Sequence, residues 1–341
     1  MSQDYLGPDP ASGSPIAAPG ASRPVPGTAR VSGALPRSPR PGSLAYGPAL
    51  RAVTVASLVS AYLLVVLGDT VRVTESGMGC ASWPLCNGHA GLSGTYHALL
   101  EQSHRYLAAV VTVLVAATFA AAWRRARRDR LVFWSSAAAL GLVGVQVLLG
   151  AITVFAHNAG WTVALHLAGA WLVVGAVTVT AVGVWRVPVP VLDRPAPRAV
   201  PAGRLGVAAA VSLFALSVSG MLVLHDGASA ACPGWPACGP GTGSAGLVVL
   251  QYLHRSLALL AAVLIMAAAV RAWRSRVAGP VGRVLAAAAV FLLAGTVTFG
   301  AIVATAGAPP AEQDFHLAVG TALWIAVVAL ATLVTPTAEP P

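Results

Sequence analysis

Apolar stretches of about 20 residues recur eight times along this chain, and a stretch that long crosses a hydrocarbon core about 30 Å thick as a helix. Within that core the backbone has no water to bond, so each crossing segment must satisfy its own N–H and C=O groups. Composition agrees: 57% of residues are hydrophobic and only 9% charged, against roughly 25% charged in soluble domains. The expected fold class is an all-α polytopic membrane protein, which excludes an ordinary cytosolic enzyme. The spans are expected near 50–68, 101–123, 131–154, 162–185, 204–224, 249–271, 283–305 and 315–335.

Residues 1–48 are rich in Pro, Gly, Ser and Ala, too poor in large apolar residues to repay ordering entropy, and are expected to be a disordered tail. No apolar core follows a basic start as in a signal peptide, so cleavage is not expected. All 21 basic residues are Arg, and 18 of them lie in the tail and in the segments after the second, fourth and sixth spans, as in Arg124, Arg125, Arg127 and Arg128. By the positive-inside bias that side is cytoplasmic and both termini face it, with the Cys-containing loops outside a plasma membrane. The formal net charge of +10 is thereby spread between spans rather than gathered into a nucleic-acid-binding patch.

The halves of the chain repeat. Glu101-Gln-Ser-His104-Arg105 returns as Gln251-Tyr-Leu-His254-Arg255, Gly150-Ala-Ile152 as Gly300-Ala-Ile302, and His166-Leu-Ala168 as His316-Leu-Ala318, each 150 residues on. Cys80-Ala-Ser-Trp-Pro-Leu-Cys86 returns two residues out of phase as Cys232-Pro-Gly-Trp-Pro-Ala-Cys238. An even number of spans per half makes the copies parallel in topology. The expected architecture is two repeated four-helix bundles, 49–186 and 204–336, related by a pseudo-twofold, with a cytoplasmic linker at 187–203 and a short tail at 337–341.

Four of the eight His are the repeated ones, His104, His166, His254 and His316, each in the outer end of an even-numbered span. A lone His there is ordinarily an interfacial residue, but two equally spaced pairs at matched depth point to ligands. Zinc usually takes three or four protein ligands, whereas two facing His are what a six-coordinate heme iron uses. Gly169, Ala168 and Ala170 around His166, and Ala318 and Gly320 near His316, leave room for a flat macrocycle, although small residues also line ordinary helix contacts. Arg105 and Arg255 suit either heme propionates or lipid phosphates.

Two C-x-x-W-P-x-C pairs in outer loops are read as disulfides, Cys80–Cys86 and Cys232–Cys238. A structural clamp and thiol–disulfide chemistry both remain open for them. The halves differ at Glu101, one helical turn before His104, where the second half has the uncharged Gln251. Beside an iron site Glu101 is a candidate acid–base group or stabiliser of developing positive charge. His89, His97, His157 and His225 have no repeat partners and are expected to be solvated. Asp69, Arg72 and Glu75 are expected to order the loop over the first bundle.

Taken together, Gly68-Asp-Thr-Val-Arg-Val-Thr-Glu-Ser-Gly77, Cys80-x-x-Trp83-Pro84-x-Cys86, Glu101-x-x-His104-Arg105, His166, His254-Arg255 and His316 on eight spans resemble the heme A synthase family over about residues 50–335. The resemblance implies oxidation of the C8 methyl group of heme O to the formyl group of heme A. It assigns the substrate iron to His104 and His166, a heme B cofactor in the C-terminal bundle to His254 and His316, and the catalytic carboxylate to Glu101. Cys80 and Cys86 match the family's first-loop disulfide. The partners implied are the heme O synthase (a protoheme farnesyltransferase), a heme-A-containing terminal oxidase or its assembly factors, and an unidentified electron donor. Two other readings stay open: a di-heme membrane cytochrome in electron transfer, which fits the four His but not the Glu101/Gln251 difference, and a heme transporter or chaperone.

Overall fold

The computed structural model describes residues 46–80, 82–91, 94–186, 200–225, 228–239, 243–275 and 278–335. The expected tails and most of the expected linker, at 1–45, 187–199 and 336–341, lie outside the described residues. In chain order the helices are α1 (Pro48–Val73), α2 (Tyr96–Ala126), α3 (Arg130–Phe155), α4 (Gly160–Trp185), α5 (Val200–His225), a short α6 (Ala228–Ala231), α7 (Ala245–Arg274), α8 (Gly279–Thr305) and α9 (Pro310–Val334). All but α6 are long and apolar enough to span a membrane. They run up to five residues beyond the expected ends, because hydropathy sees the hydrocarbon crossing while a helix continues into the headgroup region. Side chains such as Phe291, Leu259 and Val284 are largely exposed, an arrangement that would be an aggregating surface in water and is the ordinary outer face of a protein in lipid.

Local chemistry sets the helix ends. Asp129 caps α3, its side chain accepting from the backbone N–H of Leu131 (3.1 Å) and Val132 (3.2 Å), while the Tyr46 hydroxyl donates to the same carboxylate at 2.9 Å. Prolines open α1, α8 and α9 at the first turn, where a missing N–H costs no helical bond. The turn from α3 to α4 recurs between α8 and α9. Asn158 N–H bonds Thr153 C=O at 2.8 Å, and 150 residues on Ala308 N–H bonds Val303 C=O at 2.9 Å. Residues 157 and 158 have positive φ, as do 307 and 308.

Helices α1–α4 close into a ring in which α1 meets α2 and α4, and α3 meets α2 and α4. Helices α5, α7, α8 and α9 close in the same order, with α5 meeting α7 and α9, and α8 meeting α7 and α9. The two rings join mainly through α4, α9, α1 and α5. More than half of the most apolar stretch of α4 and of α9 is buried, the highest shares among the spans. At their crossing Trp171 and Trp324 stack at 5.6 Å, and Trp324 Nε1 donates to the Trp171 carbonyl at 2.8 Å. Gly175 makes room, since a Cβ there would lie 3.1 Å from the Trp324 ring.

Candidate functional site

Each of the four repeated His leans on a glycine of a neighbouring helix. A Cβ on Gly68 would lie 2.9 Å from the His104 ring, on Gly150 3.4 Å from His166, on Gly220 3.1 Å from His254, and on Gly300 2.9 Å from His316. The glycines therefore let imidazoles sit against bare backbone near the N-terminal ends of α2, α4, α7 and α9. The repeated Gly150 and Gly300 were visible in the sequence, whereas the small residues expected to make room were those flanking His166 and His316. Of these, Gly169 instead faces Gln146, and Gly320 faces Trp171 and Thr296. His254 and His316 line one largely apolar cavity, which Arg72 and Trp171 enter from the first half of the chain. His104 and His166 lie within electrostatic reach of one another. Among the described residues no three His, Cys, Asp or Glu converge as in a tetrahedral metal site.

The hydrogen bonds of the second pair define its tautomers. His316 Nδ1 lies 2.9 Å from the Thr296 carbonyl, which only accepts, so the ring proton is on Nδ1. His254 Nδ1 lies 2.9 Å from Ser219 Oγ, whose own proton goes to the Leu216 carbonyl at 2.7 Å; Ser219 therefore accepts from His254 as well. Both rings then present an unprotonated Nε2, as an iron ligand must, with the orienting outer bond that ligating His usually makes. In the first pair, neither His104 Nδ1 nor His166 Nδ1 has a partner. In the register that sets Cys80 on Cys232, Ser219 corresponds to Leu67, which has no hydroxyl to offer His104.

Both Cys pairs are disulfide-bonded, and the loops they close sit on the N-terminal ends of α2 and α7. Glu101 is buried beneath the first loop: one carboxylate oxygen accepts from the Cys80 backbone N–H at 2.7 Å and the other pairs with Arg105 at 2.5 Å. Arg105 also donates to the carbonyls of Ser82 (2.7 Å), Pro84 (3.2 Å) and Leu85 (3.4 Å). Gly79 allows this docking, because a Cβ there would come within 2.6 Å of the α2 backbone at His97 and Ala98. The second loop is held without a carboxylate. Gln251 donates to the Ala228 carbonyl at 3.1 Å, and Arg255 donates to the carbonyls of Pro236 (2.8 Å) and Cys232 (3.0 Å) while lining the cavity. The structure thus gives both Arg a loop-clamping contact that neither sequence reading anticipated.

One sequence expectation shifts. Asp69 and Arg72 pair at 2.6 Å, but Arg72 then reaches Gln313 at 3.2 Å and Thr70 donates to Asp314 at 2.7 Å. The cluster ties α1 to α9 across the two halves, a long-range contact invisible to local spacing, while Glu75 is exposed. His89 and His157 are exposed as expected; His97, also exposed, has its Nδ1 2.8 Å from Ser76 Oγ. The side chain of His225 lies outside the described residues. Sequence reasoning did not single out Gln146, whose amide nitrogen and oxygen are both buried without a partner.

Residues 51–328 match the family model COX15-CtaA, cytochrome oxidase assembly protein. The chain is 32% identical over 232 residues to a heme A synthase of Symbiobacterium thermophilum, covering 64% of this chain and 74% of that one. It is 26% identical over 237 residues to a heme A synthase of Bacillus licheniformis, covering 66% and 76%. A protoheme IX farnesyltransferase of Halobacterium salinarum shares 36% identity over 116 residues, covering 34% of this chain and 25% of that protein.

Proposed function

The chain belongs to the COX15-CtaA family of cytochrome oxidase assembly proteins, and from that membership we infer that it is a heme A synthase, a membrane oxidoreductase that converts heme O to heme A. Converting the substrate's C8 methyl to a formyl group is a four-electron oxidation in which the carbon loses two hydrogens and gains one oxygen, two successive hydroxylations giving a geminal diol that loses water. Such chemistry at an unactivated methyl group is beyond side chains alone, so the protein's part is to bind, orient and stabilise charge.

In this reading His104 and His166 hold the iron of heme O, and Glu101 is the catalytic group beside the reacting methyl. The observation that carries the assignment is that the buried Glu101 carboxylate, one helical turn before His104, is locked from two sides by Cys80 N–H and Arg105, where the second half has the uncharged Gln251. Held there without freedom to rotate, Glu101 accepts a proton from, or balances positive charge at, the methyl carbon. His254 and His316 hold a heme B, which when bound supplies an electron-transfer centre; their fixed Nδ1–H tautomers and shared cavity fit axial ligation. The two rings of helices then divide the work between a reacting first bundle and a cofactor-holding second bundle. The Arg-rich helix ends support a cytoplasmic location for both termini, with the disulfide loops outside.

A heme O synthase is the supplier of substrate, a reading supported by the stretch shared with a protoheme IX farnesyltransferase. A heme-A-containing terminal oxidase or its assembly factors receive the product, and an unidentified electron donor completes the cycle. The test is co-expression with a heme O synthase, followed by extraction of non-covalent hemes and identification by chromatography and mass. Heme A, absent from cells lacking this chain, is the expected product. Heme B alone with heme O unchanged would replace the synthase by an electron-transfer cytochrome.

A further inference from the structure

We propose that Gln146 is the residue by which the first bundle selects heme O over heme B, through a hydrogen bond from its side-chain amide to the hydroxyl of the substrate's hydroxyethylfarnesyl group. The proposal rests on the heme O reading above and concerns a residue that reading leaves unused. Both amide atoms of Gln146 are buried and lack any protein partner. An unsatisfied buried amide is costly, which points to a ligand that completes it.

Its position names the ligand's polar group. Gln146 lies on α3 four residues before Gly150, the glycine under the His166 ring, so it shares that face one turn, about 6 Å, deeper in the membrane. Across from it is Gly169 on α4, likewise one turn deeper than His166; a Cβ on Gly169 would collide with the Gln146 amide. The amide therefore fills the groove between α3 and α4 just inward of the iron ligand. A heme held there keeps its propionates toward the aqueous end, because carboxylates are expensive to bury in hydrocarbon. The opposite edge points inward, and that edge carries the hydroxyethylfarnesyl group in heme O and an apolar vinyl group in heme B.

The second half lacks this device. At the position of Gln146 it has Thr296, whose hydroxyl is already bonded to the Leu292 carbonyl at 2.8 Å, and at the position of Gly169 it has Val319. With the Thr296 proton committed to the Leu292 carbonyl and Val319 apolar, these two positions offer a hydroxyl no amide like that of Gln146 and suit a vinyl edge. A site built to bond a hydroxyl rejects the analogue that lacks it, since the buried partner is then left unpaired.

The experiment equilibrates the purified full-length chain with an equimolar mixture of ferric heme O and heme B, without reductant, and measures each heme retained. Gln146→Met should lower the preference for heme O about tenfold, the scale of one lost buried hydrogen bond, while one heme B per chain is retained as a sign of an intact second half. Gly169→Ala, which displaces the amide but leaves Gln146 in place, should do the same and serves if Gln146→Met fails to fold. A preference within about twofold of wild type in either folded variant overturns the proposal. If wild type converts heme O to heme A and Gln146→Met discriminates equally well, this inference alone falls; if wild type neither prefers heme O nor makes heme A, the function reading falls with it.

Discussion

The two His pairs have the same skeleton and opposite polar finish. At His254 and His316 every ring Nδ1 is bonded, to Ser219 and to the Thr296 carbonyl, and Gln251 is bonded to Ala228. At His104 and His166 both Nδ1 atoms are bare and Gln146 is bare, while the carboxylate of Glu101 is held by Cys80 N–H and Arg105. A ligand whose outer nitrogen is bonded is oriented and more basic, as suits a group held permanently. Bare ligands hold iron less firmly, as suits a substrate that must arrive and leave. The difference teaches that one repeated His frame carries two polar environments, which in the proposed reading separate a reacting site from a holding site.

Four changes break or sharpen that contrast. Glu101→Gln gives the first site the second site's uncharged residue; heme O should still be retained while heme A formation falls about 10²- to 10³-fold, measured by heme extraction, and near-normal heme A would remove Glu101 from the chemistry. Ser219→Ala gives the second site the first site's bare ring, and retention of heme B during purification should weaken about 10- to 100-fold, read by spectrophotometric titration. Leu67→Ser is the reverse exchange: a hydroxyl offered to His104 should slow release of bound heme about fivefold, the worth of one net hydrogen bond, as followed by transfer to an excess heme acceptor. Gln251→Glu introduces a carboxylate four residues from Arg255 and should change heme A yield by less than about twofold; a larger change would end the division of labour between the halves.

Much of the site was legible because it is written in local spacing. The eight spans, the four His, the Glu101/Gln251 difference and the two C-x-x-W-P-x-C loops all follow from helix periodicity and from a repeat that can be laid over itself. The i, i+4 spacing of Glu101 and Arg105 was equally readable, yet Arg105 was matched to propionates or lipid because the loop carbonyls it clamps belong to a turn that docks only in three dimensions.

What the sequence alone determined is the set of elements and the chemistry they carry: apolar helices forced by hydrocarbon to bond their own backbones, with ionisable groups within the spans kept few because they are costly there. Tertiary packing decided which groups have partners. Asp69 and Arg72 join α1 to α9 rather than a nearby loop, Gly68, Gly150, Gly220 and Gly300 sit under rings on other helices, and Gln146 is left unpaired beside His166. Such facts depend on contacts between residues far apart in the chain, and a helical period fixes the face a side chain occupies without saying which neighbour that face will meet.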